Sequence, residues 1–383
     1  MKILYIANVR IPTEMAHGLQ VMKMCEAFSK LKVQNQKLKV ELIVPKKFSI
    51  SELGKKDPFE YYRVDKVFKI KKLFCLDLTP LNKYLGPVSF LIQAISFAIS
   101  AFFYTLPRKT DIIYSRDRFS LFFLSIFKKN IVMEIHQLHK SLFKFILKRA
   151  KKIIVITEGL KKDLAKKGIR DDKIMIAGDA LDLNDFNVKE TKEECRKELG
   201  LPLEKKLILY TGHLYKWKGV ETLAIASKFL EDNFLIVIVG GIKWYLSNFK
   251  KFVEKNNLKN VLVLGHKDYS LIPTYLKSAD CLVLTGTNNS ETSSAHTSPM
   301  KMFEYMASKN PIVASNLSSF REILNNENSM LVEPDNPEAI AIGIKVAIND
   351  SELSKSISEQ AFQDVQKYNW DNRARTIINF INN

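Results

Sequence analysis

Cysteine is scarce in this chain and is never clustered. The 383 residues include four cysteines, Cys25, Cys75, Cys195 and Cys281. None belongs to a C-x-x-C pair, so the sequence favours neither a zinc site nor a disulfide framework and is typical of a reducing cytoplasm. Glycine is also sparse, at 14 residues. No G-x-G-x-x-G motif follows a predicted strand, so a dinucleotide-binding site is not supported.

The positive charge of the chain is confined to one half. The net charge is +18, yet residues 1–180 contain 35 Lys and Arg against 16 Asp and Glu, a net of +19, and residues 181–383 have a net of −1. No helix-turn-helix, RNP-like or zinc-finger pattern accompanies this charge, so we expect no nucleic-acid partner. An anionic membrane surface or an acidic acceptor would fit it.

Only one uncharged run is long enough to span a bilayer. It covers the 22 residues Leu85–Leu106. Its polar residues recur at helical spacing and so share one face; they are Ser89, Gln93, Ser96, Ser100 and Tyr104. This pattern predicts an amphipathic, mostly buried helix, with a membrane span as the alternative. The apolar N-terminal run is interpreted as a buried strand and not a signal peptide, because Glu14 and His17 follow it.

Short apolar segments alternate with helical segments along the whole chain. Strands are predicted near Lys2–Ala7, Lys39–Val44, Lys66–Ile70, Asp111–Tyr114, Ile131–Glu134, Lys152–Ile156, Lys173–Ile176, Leu207–Tyr210, Phe234–Val239, Asn260–Leu264, Asp280–Leu284 and Pro311–Ala314. This alternation indicates parallel sheets. We predict an α/β fold of two Rossmann-like, doubly wound parallel-sheet domains facing a cleft, with boundaries at 1–178 and 179–365.

A predicted helix start in the second half of the chain suits a bound anion. Ser298 is a good N-cap, and Pro299 fits the first helical position. The N–H groups of Met300 and Lys301 would point out of the helix, where Lys301 adds positive charge. Glu304, one turn further on, could accept two hydrogen bonds from a ribose diol. An ordinary amphipathic core helix is the alternative.

Loops at the carboxyl ends of parallel strands are the usual binding sites of such sheets, and two lie in the first half. The first loop ends at Gly18, where a backbone without a side chain allows close approach of a ligand. The strand at Ile131–Glu134 is followed by His136 and His139. We favour a single hydrogen-bonding His136 in the cleft over a metal-binding pair, and a structural histidine is the alternative.

Two further loops follow strands of the second half. His213 and Lys218 lie after Leu207–Tyr210, and Lys218 beside a helix start suits a diphosphate clamp. Gly240–Gly241 form a strand-to-helix turn that is suited to border a base. Four nearby aromatic residues either stack on a ligand or pack internally: Tyr215, Trp217, Trp244 and Tyr245.

Six segments together resemble retaining family-four glycosyltransferases of the GT-B fold. They are IPTEMAHGLQVMKMCEAF (11–28), MEIHQLH (133–139), VITEGL (155–160), YTGHLYKWKGV (210–220), SPMKMFEYMASKNPIVAS (298–315) and YNWDNRARTII (368–378). The resemblance implies that Lys218 binds the donor diphosphate and Glu304 the donor ribose. It implies that Gly18 lets the first loop approach the donor and that His136 contacts the transferred sugar. A final helix, 366–383, would cross back onto the first domain.

The chain departs from this family at two positions. The family commonly has Arg where His213 stands, and Glu where this chain has His296. Protonation of these histidines would favour donor binding at lower pH. The expected donor-binding residues are Gly18, His213, Lys218, His296, Met300, Lys301 and Glu304, and the expected catalytic residues are His136, Lys218 and Glu304.

The resemblance implies a hexosyltransferase-like enzyme that moves a sugar from a nucleotide-diphosphate sugar to a glycan or lipid-linked acceptor, with retention of configuration. The chain has no Asp-x-Asp pair, the usual metal clamp of the other glycosyltransferase architecture, so we expect no metal and no cofactor besides the donor substrate. A sugar-nucleotide epimerase and a catalytically silent scaffold are the alternatives. The basic segment Ser141–Lys152 predicts an amphipathic helix whose apolar stripe, Leu142, Phe145 and Ile146, rests on the cytoplasmic face of a membrane. A core-packed helix with a solvated charged face is the alternative.

Overall fold

The computed structural model describes residues 1–48, 52–138 and 143–383, and the chain forms two compact units. Unit 1 contains Met1–Ile156, Leu160–Gly178 and Trp370–Asn383, and unit 2 contains Thr157–Gly159 and Asp179–Asn369.

Unit 1 is built on a seven-stranded sheet. In chain order its strands are β1 (Lys2–Ile6), β4 (Lys39–Pro45), β5 (Lys69–Leu73), β6 (Ile112–Ser115), β7 (Ile131–Ile135), β8 (Lys152–Val155) and β9 (Ile174–Ile176); a separate ribbon pairs β2 (Lys32–Val33) with β3 (Gln36–Lys37). The order in space is β5-β4-β1-β6-β7-β8-β9, and every pairing is parallel. Every residue of β6 and β7 is buried, because helices cover both faces of such a sheet.

Helices flank this sheet between consecutive strands. They are α1 (Ala16–Lys30), α2 (Pro58–Tyr62), α3 (Asn82–Leu85), α4 (Pro87–Thr105), α5 (Arg118–Phe127), α6 (Phe143–Arg149) and α7 (Glu158–Lys166). Buried residues of α4, α5, α6 and α7 join one core with side chains of the sheet. Residues 139–142 lie outside the described ranges, so the predicted helix at Ser141–Lys152 is seen only from Phe143 onward.

Helix α4 is less buried than predicted. Among the described residues it is the only helix long and apolar enough to cross a membrane. Its most apolar 18-residue window has a mean hydropathy of 1.7, and 39% of that window is buried. Ser89 and Gln93 are fully buried, and the Gln93 Nε2 donates to Asn8 Oδ1 at 3.0 Å. The prediction of a mostly buried helix is therefore wrong, because the polar face packs inward and much of the apolar face is exposed.

Unit 2 is built on a six-stranded parallel sheet. Its strands are β10 (Lys206–Thr211), β11 (Phe234–Val239), β12 (Val261–Gly265), β13 (Cys281–Leu284), β14 (Ile312–Ser315) and β15 (Met330–Val332). The order in space is β12-β11-β10-β13-β14-β15. From β10 the chain adds β11 and β12 toward one edge of the sheet, and from β13 it adds β14 and β15 toward the other edge. The strand order therefore reverses between β10 and β13, and a crevice forms at the carboxyl ends of this pair.

Eight helices of unit 2 connect and cover these strands. They are α8 (Lys192–Leu199), α9 (Val220–Ala226), α10 (Lys243–Lys255), α11 (Ile272–Ser278), α12 (Glu291–Ser294), α13 (Met300–Ala307), α14 (Pro337–Asn349) and α15 (Ser351–Val365). Helix α8 shows how local sequence sets the ends of a helix. Thr191 and Glu194 form a capping box at its start, and Gly200 ends it in the left-handed conformation.

The last helix, α16 (Trp370–Asn382), belongs to unit 1. It packs against α1, and the Lys151 Nζ donates to the Ile381 carbonyl oxygen at 2.8 Å. Its inward side includes Arg373 and Ala374, both buried. Unit 1 is thus completed by the C-terminal segment of the chain. Two parallel-sheet, doubly wound α/β units confirm the predicted fold class.

Candidate functional site

The crevice of unit 2 is bordered by the loops that follow β10 and β13. The Thr285 Oγ1, just after β13, donates to the Lys218 carbonyl oxygen at 2.6 Å. This bond joins the two loops at the point where parallel sheets usually bind ligands. The segment with Lys218 is therefore held against the end of β13, as a binding loop requires.

Glycine is required where the loops after β10 and β11 touch. Gly240 has a φ of 123°. A Cβ atom on Gly240 would lie 2.2 Å from the Gly212 carbonyl oxygen, closer than any side chain can approach. Gly240 thus serves close backbone packing against Gly212, in the loop that continues into His213.

Lys218 ends a short 3₁₀ turn, Lys216–Lys218, before Gly219. Its Nζ lies 4.0 Å from the centre of the Trp217 ring. Burial lowers the pKa of Lys218 to about 8, although Asp179 opposes the shift. A cation that has lost water in this way is stabilised when an anion binds beside it.

Helix α13 begins one residue later than predicted. Its N-cap is Pro299, with an extended backbone, and the side chain of Ser298 does not cap the helix. The Ser298 Oγ instead accepts a hydrogen bond from the Asp179 N–H at 3.2 Å. The N–H groups of Met300 and Lys301 are in the first turn and have no acceptor within the helix. The predicted anion-facing helix start is therefore present, with a different cap.

Lys301 projects from the first turn of α13 toward the end of β10. Its Nζ lies 3.5 Å from the centre of the Tyr210 ring and donates to the Thr211 carbonyl oxygen at 3.1 Å. Burial and the charge of Lys218 lower the pKa of Lys301 well below its ordinary value. Two partly desolvated cations thus repel each other at the switch point of the sheet. A bound diphosphate would remove that repulsion.

Glu304 lies one helical turn beyond Lys301 and is 5% exposed. The Tyr269 hydroxyl donates to Glu304 Oε1 at 3.1 Å. Burial raises the pKa of Glu304 to about 7, against the opposing effects of Tyr269 and Lys301. Tyr269 was not predicted as a site residue, because it follows β12 in a short turn without any motif.

His213 and His296, the two positions where the chain departs from the family pattern, differ in their surroundings. The His213 ring lies 5.2 Å from the Tyr215 ring, and its Nδ1 is buried without a hydrogen-bond partner among the described residues. Burial, followed by the charges of Lys218 and Lys301, lowers the pKa of His213. The ring is therefore neutral at pH 7. His296 is 7% exposed, on the segment that leads to α13.

The four aromatic residues of these loops contact one another. The Tyr215 ring stacks on Trp217 at 6.1 Å and meets Tyr245 edge-on at 4.9 Å, and Tyr245 meets Trp244 at 4.9 Å. Trp244 is 66% exposed. The cluster packs internally and leaves the Trp244 side chain exposed, so the packing interpretation is confirmed and stacking on a ligand stays a prediction.

Gly18, a candidate of unit 1, has a packing reason to be glycine. A Cβ atom there would lie 2.3 Å from the Tyr62 hydroxyl and 2.5 Å from Thr13 Cγ2. That hydroxyl accepts from the Thr13 N–H at 2.7 Å and donates to the Thr13 carbonyl oxygen at 2.8 Å. The space beside Gly18 is thus used by Tyr62, and a role toward the donor stays a prediction.

His136, the other candidate of unit 1, lies against a buried ion pair. Its Nε2 is 2.7 Å from Glu134 Oε1, and the Arg373 Nη2 donates to the same oxygen at 2.9 Å. The Tyr114 hydroxyl also donates to Glu134. Burial would raise the pKa of Glu134, but Arg373 and His136 outweigh it and hold the pKa well below its ordinary value.

The ionised Glu134 sets the tautomer of His136. A carboxylate accepts only, so Nε2 of His136 carries the proton and Nδ1 is an acceptor. Burial and Arg116 lower the pKa of His136 to about 4, and the ring is neutral at pH 7. Such a histidine is able to accept a hydrogen bond from a sugar hydroxyl. His139, the possible metal partner, lies outside the described residues.

The structure brings together the candidates of unit 2: His213, Lys218, Met300, Lys301 and Glu304 surround the carboxyl ends of β10 and β13. Sequence reasoning missed Tyr269, Glu134 and Arg373. Tyr269 lies 35 residues from its partner Glu304, Glu134 lies 2 residues from His136, and Arg373 lies 239 residues from Glu134. Only the E-x-H spacing of Glu134 and His136 offered a local signal.

Comparison with known proteins gives a family match within unit 2. Residues 191–364 match the family model described as glycosyl transferases group 1. An uncharacterised glycosyltransferase of Methanocaldococcus jannaschii is 28% identical over 239 residues, 59% of this chain and 58% of that relative. The putative teichuronic acid biosynthesis glycosyltransferase TuaC of Bacillus subtilis is 25% identical over 224 residues, 58% of this chain and 54% of that relative. The chain thus spans just over half the length of these relatives.

A solved structure matches over the full length. HepE of Anabaena, crystallised with UDP and glucose, has a TM-score of 0.75 at 16% identity, over 100% of this chain and 99% of HepE. At this identity the likeness shows a shared fold, the GT-B fold with its two Rossmann-like units. The predicted fold and the predicted glycosyltransferase family are both supported.

Proposed function

We propose that the whole chain transfers a sugar from a nucleotide-diphosphate sugar to an acceptor in glycan biosynthesis, on the premise that residues 191–364 match the family model of glycosyl transferases group 1. The observation that carries the proposal is the pair of partly desolvated lysines, Lys218 on the loop after β10 and Lys301 in the first turn of α13. Lys301 is one helical turn from Glu304, and both lysines lie at the switch point of the sheet. A diphosphate and its ribose need this combination.

Each residue has a distinct role in the proposed reaction. Lys218, Lys301 and the first N–H groups of α13 neutralise the departing diphosphate. Glu304 accepts hydrogen bonds from the ribose, with Tyr269 orienting its carboxyl group. His136 accepts a hydrogen bond from the transferred sugar through Nδ1. UDP is the first nucleotide to test, because it is bound in the Anabaena structure.

We further propose that the reaction needs no metal and retains the anomeric configuration. Two lysines and a helix start supply the positive charge that a metal would otherwise contribute. Retention rests on the resemblance to family-four enzymes. We propose a glycan or a lipid-linked acceptor, and a cytoplasmic reaction. The epimerase alternative is not favoured, since the matched family and the named relatives are glycosyltransferases.

A donor screen tests this function. We expect UDP-sugars or other nucleotide-diphosphate sugars to raise the melting temperature in proportion to affinity, and nucleotide release to depend on an added acceptor. Activity should persist in excess EDTA. Loss of activity in EDTA that Mg²⁺ or Mn²⁺ restores would contradict metal independence. Nucleotide-sugar turnover that never requires an acceptor would favour the epimerase.

UDP affinity is expected to fall as the pH rises through about 8. Below that pKa the free Lys218 is charged, whereas above it the lysine must regain a proton before it can neutralise the diphosphate. The part of this loss that Lys218 causes should approach about tenfold per pH unit at most, the limit for one linked proton. Titration calorimetry of UDP between pH 7 and about 9.5 measures it. Lys218→Arg should flatten the profile, because arginine stays charged. An unchanged slope in that variant would assign the effect elsewhere.

The rise in affinity predicted from His213 should appear only at lower pH. Burial, Lys218 and Lys301 lower the pKa of this ring, so it becomes charged below the ordinary imidazole range. We therefore expect the contribution of His213 to donor affinity to be independent of pH near pH 7.

A further inference from the structure

Exposed apolar side chains are concentrated in one part of unit 1. Among the described residues, 23 large hydrophobic side chains are exposed, and 13 of them lie between positions 74 and 127. Six belong to α4: Val88, Phe90, Leu91, Ile95, Ile99 and Phe103. Folded proteins rarely leave a contiguous apolar patch of this kind in water unless it binds something.

These side chains of α4 form a stripe along its outer surface. Leu91, Ile95, Ile99 and Phe103 are spaced four residues apart, so they lie on one face of the helix. They are 43%, 37%, 42% and 67% exposed, whereas Gln93 and Phe97 on the inner face are fully buried. A helix that only had to cover the core would bury the apolar stripe and expose the glutamine.

The apolar surface continues from α4 across α5 to α6. The Phe102 ring lies 5.4 Å from Phe127 and 6.4 Å from Phe123, and Phe122 lies 5.5 Å from Phe145. Phe127 is 62% exposed and Phe145 is 38% exposed. We call this surface, formed by α4, α5 and α6, the α4–α6 face.

The charge on the α4–α6 face has one sign. The three helices contain Arg118, Lys144, Lys148 and Arg149 and no Asp or Glu. The Arg149 guanidinium lies 4.6 Å from the centre of the Phe145 ring, so a cation borders the apolar surface directly. Beyond the end of α4, a depression is lined by Arg108, Lys109, Lys128 and Lys129, with Asp111 as its only acid.

We propose that the α4–α6 face docks unit 1 on an anionic phospholipid bilayer. The apolar stripe would enter the boundary between headgroups and acyl chains, and the surrounding cations would meet the lipid phosphates. A second copy of the chain fits less well, because two such faces would bring cations against cations. Binding to a bilayer does not depend on the transfer reaction, so the proposal goes beyond the proposed function.

Helix α6 contributes charge to this face and little apolar surface. Ile146, which the sequence placed on the membrane-facing stripe of Ser141–Lys152, is fully buried, and Leu147 is 1% exposed. Both belong to the core of unit 1. The membrane contact predicted for that segment is therefore reassigned mainly to α4, with Lys148 and Arg149 at its border.

Vesicle sedimentation tests the proposal. The protein should pellet with phosphatidylcholine vesicles that contain about one third phosphatidylglycerol, and much less with pure phosphatidylcholine. The variant Ile99→Glu with Phe103→Glu should bind the anionic vesicles at least about tenfold more weakly. Its fold should be intact, because both side chains are exposed, and an unchanged shift in melting temperature with UDP would verify this.

The matched control places the same charges on an exposed apolar pair of unit 2. Ile342 and Val346 on α14 are 57% and 39% exposed and also lie four residues apart. Ile342→Glu with Val346→Glu should retain vesicle binding. Three outcomes would overturn the proposal. The two double variants could lose vesicle binding equally, the α4 variant could bind fully, or the unmodified chain could fail to bind. A dimer that only the α4 substitutions dissociate, without vesicle binding, would identify a second copy as the occupant.

Discussion

Replacing Arg373 with methionine is expected to lower the free energy of unfolding of unit 1 by about 3–5 kcal/mol. The side chains of Arg373 and Glu134 are 4% and 3% exposed, and the guanidinium also donates to the Gly178 and Ala177 carbonyl oxygens. Without Arg373, the carboxylate of Glu134 would stay buried with His136 and Tyr114, and it would lose the cation that lowers its pKa most, with the charge of Arg116 remaining. Urea unfolding followed by circular dichroism measures the loss.

The same helix supplies the control for this variant. Arg375 is exposed two residues further on, so Arg375→Met should change the free energy of unfolding by no more than about 0.5 kcal/mol. Replacing both members of the pair, Glu134→Leu with Arg373→Met, should recover part of the stability, because no lone charge remains. Equal stability of Arg373→Met and the unmodified chain would show that the pair contributes little.

The stabilisation by this pair should depend on pH in one direction. The pKa of Glu134 in the folded protein is held well below its ordinary value. The contribution is therefore complete above the unfolded-state pKa, and it is lost as the pH falls through the lower, folded-state value. Arg373→Met should correspondingly show a weaker loss of stability on acidification than the unmodified chain.

Replacing Lys218 or Glu304 with alanine is expected to reduce donor-dependent turnover by about ten- to a hundredfold. Each variant loses a charge-assisted contact with the donor of about 1.5–3 kcal/mol. Stability should respond differently from activity. Lys218 is a desolvated cation near another, Lys301, so Lys218→Ala relieves repulsion in the free protein, and its melting temperature should be retained or raised.

Lys216 provides a matched control for this substitution. It lies two residues before Lys218 on the same turn, and it is exposed. Lys216→Ala should leave turnover and donor affinity nearly unchanged. Glu304→Gln keeps the size of the side chain and should lose less than Glu304→Ala, since the amide still accepts one hydrogen bond. Full turnover in both alanine variants would show that the donor binds elsewhere.

Local patterns predicted the elements of this protein well. Ile131–Glu134 was predicted as a strand and β7 is Ile131–Ile135, and the helix of Glu304 begins within one residue of its predicted start. Short apolar runs and helix-start residues act over a few positions, so sequence alone carries that information. The order of the strands, which forms the crevice, also follows from general rules of α/β folds.

Long-range contacts decided what local patterns did not. Ser298 has the sequence of a cap, but its hydroxyl is used by the Asp179 N–H, 119 residues earlier in the chain. Helical periodicity showed that α4 has a polar face and an apolar face, but not which one packs. Gln93 turns inward because its partner, Asn8, lies 85 residues away.

The C-terminal origin of α16 has a consequence for synthesis. Arg373 leaves the ribosome 239 residues after Glu134. The carboxylate of Glu134 on β7 therefore lacks this partner while the whole of unit 2 is translated. Unit 2, apart from Thr157–Gly159, is one continuous stretch from Asp179 to Asn369. Unit 2, although it is synthesised second, therefore has its complete sequence first, and unit 1 depends on the later translation of Trp370–Asn383.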